Sequence, residues 1–198
     1  PKGNSNISGI RYGFTKKNYR EHQEDIISDM RLIKEKGYDL YLQTVFTNGY
    51  TTAELLELIK LANEIHPLSF GIVDTYGSMY LDDLEYIWNI VNHNLKPEIA
   101  IDFHSHNNMQ MSFAMTQRII QLSNKNRHLI IDATMNGMGK CAGNLNTELI
   151  VDFLTRKLDY DYDTDAILDG IDRYIEPLKK DNMWGYSIPA FMAGIYKA

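Results

Sequence analysis

Ile99-Ala100-Ile101-Asp102-Phe103-His104-Ser105-His106-Asn107-Asn108 begins as an apolar run and ends in two histidines spaced i, i+2. Side chains alternate faces along a strand, so His104 and His106 project to the same side. Two imidazoles side by side at a strand end suit one divalent metal ion. The same pair also reads as surface histidines in a polar turn, since histidine serves in many settings.

Outward from this stretch, short β-like runs alternate with amphipathic helical runs. Strands are predicted at Ile7–Phe14, Asp39–Phe46, Ser69–Asp74, in the histidine stretch and at His128–Ala133. Helices are predicted at Asn18–Lys36, after Thr51, at Leu81–Asn92, Met109–Leu122 and Thr147–Leu158. The first has Ile26, Ile27, Met30 and Ile33 on one face and Gly37 as its stop. Thr51-Thr52-Ala53-Glu54 reads as a capping box. Leu84, Ile87, Trp88 and Val91 form a buried stripe, and Met109, Met111 and Met115 read as adaptable core filling.

Strand-to-strand spacing of about 30 residues is the length of a βαβ step. Five such steps imply a parallel sheet covered by helices, with right-handed crossovers and all strand C-termini on one rim. That rim collects Asp74, His104, His106 and a glycine loop, and ligands bind at such rims in barrels and open sheets alike. Beyond Leu158 the pattern changes. An acidic Asp/Tyr segment, a helix at Asp163–Glu176 and a Trp184-Gly185-Tyr186 turn read as a helical appendage without chemistry. The expected division is 1–158 for the βα units and 159–198 for the appendage.

Composition bounds the function. The 198 residues are 44% hydrophobic and 23% charged, ordinary for a globular protein. A net charge of −6 without a basic cluster argues against nucleic acid. No apolar run reaches the length of a membrane span. Cys141 is the single cysteine, so no intrachain disulfide forms, which fits a reducing, cytoplasmic compartment.

Two histidines with oxygen ligands would leave an open octahedral site for Mn²⁺, Co²⁺ or Mg²⁺, with Zn²⁺ as a further candidate. A 2-oxo acid could chelate there, and the ion would stabilise an enolate. Asp74 is the local carboxylate, or else a turn residue in Asp74-Thr75-Tyr76-Gly77. Gly137-Met138-Gly139-Lys140-Cys141-Ala142-Gly143-Asn144 permits close backbone approach, or is simply a tight βα loop. Cys141 is a reactive thiol or a small packed residue.

The trio Asp74-Thr-Tyr-Gly, His104-Ser-His106-Asn-Asn108 and Gly137-Met-Gly139-Lys-Cys141-Ala-Gly-Asn144-Leu resembles the later half of the metal-dependent aldolase and lyase superfamily. That superfamily includes hydroxymethylglutaryl-CoA lyase, and the resemblance is nearest to its 4-hydroxy-2-oxovalerate aldolase-like branch, over roughly residues 7–158. It implies a TIM (β/α)8 barrel of which the chain holds about strands 4–8, in sequential parallel order with flanking helices. It implies a C–C lyase that cleaves or forms 4-hydroxy-2-oxo acids through a metal-stabilised, pyruvate-type enolate. His104 and His106 become ligands of a divalent ion, Mn²⁺ first among Mn²⁺, Mg²⁺, Co²⁺ and Zn²⁺. Asn144 is carried over as a third contact, and Asp74, Asn108 and Gly139 as substrate-lining positions. Cys141 has the spacing of the CoA lyases' catalytic cysteine, but the loop after it is shorter than theirs.

The family's first-strand Asp-Arg motif and its histidine base have no counterpart here. Counting back from the histidine strand, strands one to three are absent, about 90 residues at about 30 per unit. The chain is therefore expected to be a C-terminal piece, inactive alone yet binding metal weakly. The resemblance also implies a homo-oligomer or a dehydrogenase partner. A hydroxymethylglutaryl-CoA lyase-like or isopropylmalate synthase-like acyl-CoA enzyme is the alternative within the superfamily. A non-catalytic α/β small-ligand module is the alternative outside it, and it predicts a non-sequential strand order.

Overall fold

The computed structural model describes residues 6–123 and 127–197. Five strands, β1 (Gly9–Thr15), β2 (Asp39–Val45), β3 (Ser69–Asp74), β4 (Ala100–Ser105) and β5 (Leu129–Ile131), form one sheet. Their order is β1-β2-β3-β4-β5 and every pair is parallel. The sequential order is that of a barrel wall and not of the non-sequential sheet that the ligand-module alternative requires.

The register sorts the strand residues into two faces. Tyr12, Leu42, Phe70, Ile101 and Leu129 lie on one rung, and Phe14, Thr44, Ile72, Phe103 and Ile131 on another. These rungs look toward the helices, and all their members but Thr44 belong to or pack on the main apolar cluster. The intervening rung is Gly13, Gln43, Gly71, Asp102 and Ile130, on the opposite, inner face.

That inner face is concave. Arg11 of β1 forms an ion pair with Asp132, just past β5. Four inter-strand steps of about 4.8 Å would hold these two edges about 19 Å apart in a flat sheet, beyond the combined reach of the two side chains. The sheet therefore curls as the wall of a partial TIM barrel, with its strand C-termini on one rim.

The helices form the outer layer. They are α1 (Lys16–Glu21), α2 (Gln23–Glu35), α3 (Thr52–Ile65), α4 (Leu81–Asn94), α5 (Ser112–Ser123) and α6 (Thr147–Leu158). The capping box predicted at Thr51 forms, with the Thr51 N–H donating to Glu54 Oε2 at 2.8 Å. The predicted stripe of α4 is buried in full: Leu84, Ile87, Trp88 and Val91. Where β4 begins, Arg127 donates to the carbonyls of Asn92, Leu95, Lys96 and Ile99, satisfying the end of α4 and the turn after it.

Three elements differ from the sequence reading. The helix predicted at Asn18–Lys36 breaks at His22, whose φ of −135° and ψ of 37° lie outside the helical region. The break lets Tyr19 stack on Phe14 while Ile26 and Met30 enter the core. The helix predicted from Met109 starts at Ser112, because Gln110 sits at φ 58°. The segment beyond Leu158 folds as α7 (Thr164–Gly170), a π turn (Ile171–Ile175), α8 (Glu176–Asp181) and α9 (Ile188–Tyr196), the last not foreseen. Ser187 caps α9 by accepting from the Ala190 N–H, and a proline occupies its first turn.

This tail returns to the rim. Trp184 Nε1 donates to the Asn136 carbonyl at 2.8 Å, and the Gly185 N–H donates to the Cys141 carbonyl at 3.2 Å. Gly194 of α9 packs against Asn108 and the Tyr76 carbonyl. Among the described residues no helix is long and apolar enough to cross a membrane.

Candidate active site

β4 presents Asp102 and His104 on the concave face, and His106 follows in the same alternation as the strand leaves the sheet. The two imidazoles sit 5.3 Å apart between centroids, at 72° to each other. Burial, then the neighbouring His104 charge, pushes the His106 pKa down to about 4, so its ring is neutral at physiological pH. His104 Nδ1 lies 2.8 Å from Asp132 Oδ2. A neutral ring that donates from Nδ1 keeps its Nε2 lone pair free.

Asp132 is itself clamped. Arg11 contacts both of its oxygens, with Nη2 at 2.7 Å from Oδ1 and Nη1 on Oδ2. Burial alone would push the Asp132 carboxyl up, but His104 and the Arg11 guanidinium together bring it down to about 2. Asp102 behaves in the opposite way. It has no exposed surface, and burial followed by the charge of Asp132 pushes it up to about 6. Its Oδ2 accepts from Gln43 at 3.1 Å and meets Arg11 at 3.4 Å, while its Oδ1 is buried without a partner.

The loop after β5 closes over the histidines. His106 and Asn144 form an antiparallel bridge, and the Asn107 N–H donates to the Gly143 carbonyl at 2.9 Å. Gly143 has φ +87°, and a Cβ there would stand 1.9 Å from the Gly137 carbonyl oxygen, so only glycine fits. Asn144 donates from Nδ2 to the Met138 carbonyl at 2.9 Å, and its Oδ1 is buried with no hydrogen-bond partner. Asn144 Oδ1 is thus an acceptor, on the residue that bridges His106, with no donor among the described residues. Among the described residues no three His, Cys, Asp or Glu side chains converge as a metal cluster.

The other residues expected at the site divide by face and by bonding. Asp74 pairs in register with Ser105, so it points away from His104 toward the helices. Its carboxylate is fully buried and accepts from the Ser78 and Met79 N–H groups at 2.9 and 3.2 Å. The turn reading of Asp74 describes this position, and burial pushes its pKa up to about 6 against those two donors. Asn108 is a buried brace between loops, donating to the Tyr76 carbonyl and accepting from the Ala142 N–H, both at 3.0 Å. Gly139 lies against Asn144, where a Cβ would come within 2.3 Å of Nδ2. Cys141 is exposed on the loop at φ 57°.

The residues that sequence reasoning missed are Arg11, Gln43, Asp102 and Asp132. Asp102 stands two residues before His104 and shares its face, so the alternation that paired the histidines already contained it. Asp132 is the first charged residue after the apolar run of β5. Arg11 is a lone cation inside an otherwise uncharged strand, and its partner is visible only once the sheet curls.

A curved parallel wall with a histidine pair at a strand end and a glycine loop folded over it defines a class of barrel sites. The HMGL-like family model matches residues 10–172, and the chain belongs to the HMGL-like family. It is 28% identical to the 4-hydroxy-2-oxovalerate aldolase of Geobacillus genomosp. 3, over 77% of this chain and 44% of that protein. It is 29% identical to 4-hydroxy-2-oxovalerate aldolase 2 of Comamonas testosteroni, over 61% of this chain and 33% of that protein. It is also 27% identical to the homocitrate synthase AksA of Methanocaldococcus jannaschii, over 77% of this chain and 36% of that protein. The chain thus spans about a third to under half the length of these curated relatives.

Among solved structures, the N-terminal domain of a candidate aldolase from Bacteroides vulgatus superposes with a TM-score of 0.83 at 23% identity, covering 96% of this chain and 60% of that one. The HMG-CoA lyase of Bacillus subtilis gives 0.74 at 13% identity, covering 97% and 68%. At these identities the structures establish the fold.

Proposed function

We propose that this chain carries the histidine side of the active site of a metal-dependent C–C bond lyase acting on 4-hydroxy-2-oxo acids. One observation carries the reading. His104 and His106 leave a strand end side by side, with His104 held through Nδ1, and Asn144, which bridges His106, has a buried Oδ1 that lacks a partner. The likeness to 4-hydroxy-2-oxovalerate aldolases supports the substrate class.

In this reading His104 and His106 hold a divalent cation and Asn144 supplies an oxygen toward it. Mn²⁺ is the first candidate, with Mg²⁺, Co²⁺ and Zn²⁺ as alternatives. A bound divalent ion supplies a Lewis acid that stabilises the negative charge developing on the oxo acid as the C–C bond breaks. The remaining work belongs to the chain. His106 stays unprotonated because it is buried beside His104, which keeps its lone pair available. The anionic Asp132 adds negative field behind His104. The loop around Gly143 packs over the histidine strand and screens that side from water. A cytoplasmic setting, and a dehydrogenase partner or a second copy of the chain, belong to the same reading.

An acyl-CoA reading is favoured by one feature, the exposed Cys141 on the glycine loop. Dependence of turnover on acetyl-CoA separates it from the aldolase reading.

The test is a Mn²⁺ titration followed by electron paramagnetic resonance. Replacing His104→Ala and His106→Ala together is expected to weaken binding by at least about tenfold. In the enzyme containing this chain, the same variant is expected to abolish pyruvate release from 4-hydroxy-2-oxo acids. Equal Mn²⁺ affinity in wild type and double variant would overturn the reading.

A further inference from the structure

The concave face holds a chain of contacts that reaches from one sheet edge to the other. Arg11 leaves β1, crosses to Asp132 beyond β5 and meets both of its oxygens. Asp132 Oδ2 in turn lies 2.8 Å from His104 Nδ1. Arg11 also contacts Asp102 at 3.4 Å, and Asp102 accepts from Gln43. Of this group only His104 was legible as a site residue from the sequence.

We propose that Asp132 and Arg11 are positioning residues that fix the tautomer and orientation of His104, and that Arg11 does so by dictating which atoms Asp132 presents to the ring. The ring comes first. Free histidine prefers its proton on Nε2, which would blunt the nitrogen that faces away from Asp132. A carboxylate accepts only, so Asp132 draws the proton to Nδ1 and leaves Nε2 as a lone-pair donor. A histidine that ligates through one nitrogen and donates from the other to a carboxylate is fixed in orientation and made more basic.

The carboxylate is held in its turn. Guanidinium donates at every nitrogen and accepts at none, and its planar fork matches both oxygens of one carboxylate. Arg11 therefore locks the Asp132 plane and holds it ionised while His104 claims Oδ2. The clamp also has a structural side, because it ties the first strand of the sheet to the residue after the last.

This inference rests on the metal-site reading for its consequence, but its core concerns one ring and needs no metal. The discriminating variant is Asp132→Ala. It removes the acceptor that faces His104 Nδ1. The ring then returns to its ordinary preference for a proton on Nε2, and its orientation is no longer fixed from that side.

The experiment has two readouts on the same proteins. Nitrogen-15 shifts of the imidazoles, read in metal-free protein at pH 8, report the tautomer of His104. Mn²⁺ titration reports affinity. Wild type is expected to show His104 protonated on Nδ1, and Asp132→Ala to show it protonated on Nε2 with Mn²⁺ binding about 10- to 100-fold weaker. Arg11→Gln is expected to keep the Nδ1 proton but weaken Mn²⁺ binding by a smaller factor, with Arg11→Lys recovering part of it. An Nε2 proton in wild type, or an Asp132→Ala protein with unchanged tautomer and affinity, would overturn the proposal. Unchanged affinity in His104→Ala overturns the metal reading instead, and the tautomer measurement then still decides the role of Asp132.

Discussion

Asp102 and Phe103 are neighbours in the chain, and both are entirely buried, yet they live in opposite chemistries. Phe103 faces the helices among Phe70, Ile72, Ile101 and Met115. Asp102 faces the concave side among Arg11, Gln43 and Asp132. One strand thus carries stability on one face and chemistry on the other, and burial alone does not tell the two apart. The helix-facing rungs are apolar because helices cover them, as in parallel sheets generally. The concave face holds five polar side chains that contact one another across the curl of the sheet, and one of their oxygens, Asp102 Oδ1, has no partner. That connected set of charged and polar side chains, gathered on one side of the sheet, is what separates the concave face from the helix-facing one.

The comparison breaks most visibly at Phe103. Phe103→Ala removes a fully buried ring and is expected to cost about 3–5 kcal/mol, read from urea unfolding. A loss under about 1 kcal/mol would mean that the helix layer does not depend on this rung. Next door, Asp102→Asn is expected to change stability by no more than about 1 kcal/mol, despite equal burial. The amide oxygen still accepts where Gln43 and Arg11 meet Oδ2, and the NH₂ takes the place of the unpartnered Oδ1. The change gives up the charge of the Arg11 pair while removing the cost of burying a charge. A loss of several kcal/mol in the same unfolding experiment would place Asp102 in the stabilising framework and erase the contrast.

What could be read from the sequence follows the same division. The helix-facing side was legible because its signal is local: β3 has the predicted bounds Ser69–Asp74, α6 the predicted bounds Thr147–Leu158, and the stripe of α4 is buried. His104 and His106 were legible as a pair because two-residue alternation is a local rule. Arg11 and Asp132 were not, since their contact spans 121 positions and depends on the curvature of the whole sheet. Asp74 stood out as a carboxylate at a strand end, but its parity with Ser105 rather than His104 turns it away from the site. The tail was hard to read for a related reason. Its attachments are Trp184 to Asn136 and Gly185 to Cys141, contacts across more than 40 positions that no periodicity records.

The smallest expected effect concerns the contrast between enclosed and exposed charge. At the start of α3, Glu54 gathers Lys16 Nζ at 2.6 Å, the Thr51 N–H at 2.8 Å and Arg20. The Lys16 contact first, then the Thr51 N–H, pulls the Glu54 carboxyl down to about 2, where burial pushes Asp102 up to about 6. A carboxyl held below its unfolded value contributes stability that is present above the unfolded pKa and lost as pH falls through the folded one. Glu54→Gln is therefore expected to lower the melting temperature slightly at pH 7. The difference from wild type should shrink as pH falls below about 4.5 and vanish near pH 2. Glutamine still completes the capping box, so the variant removes the charge and leaves the cap. Because these charges meet solvent, added salt should shrink the difference at pH 7. A difference that persists unchanged in high salt would show that the Glu54 cluster is held as firmly as the one on the concave face.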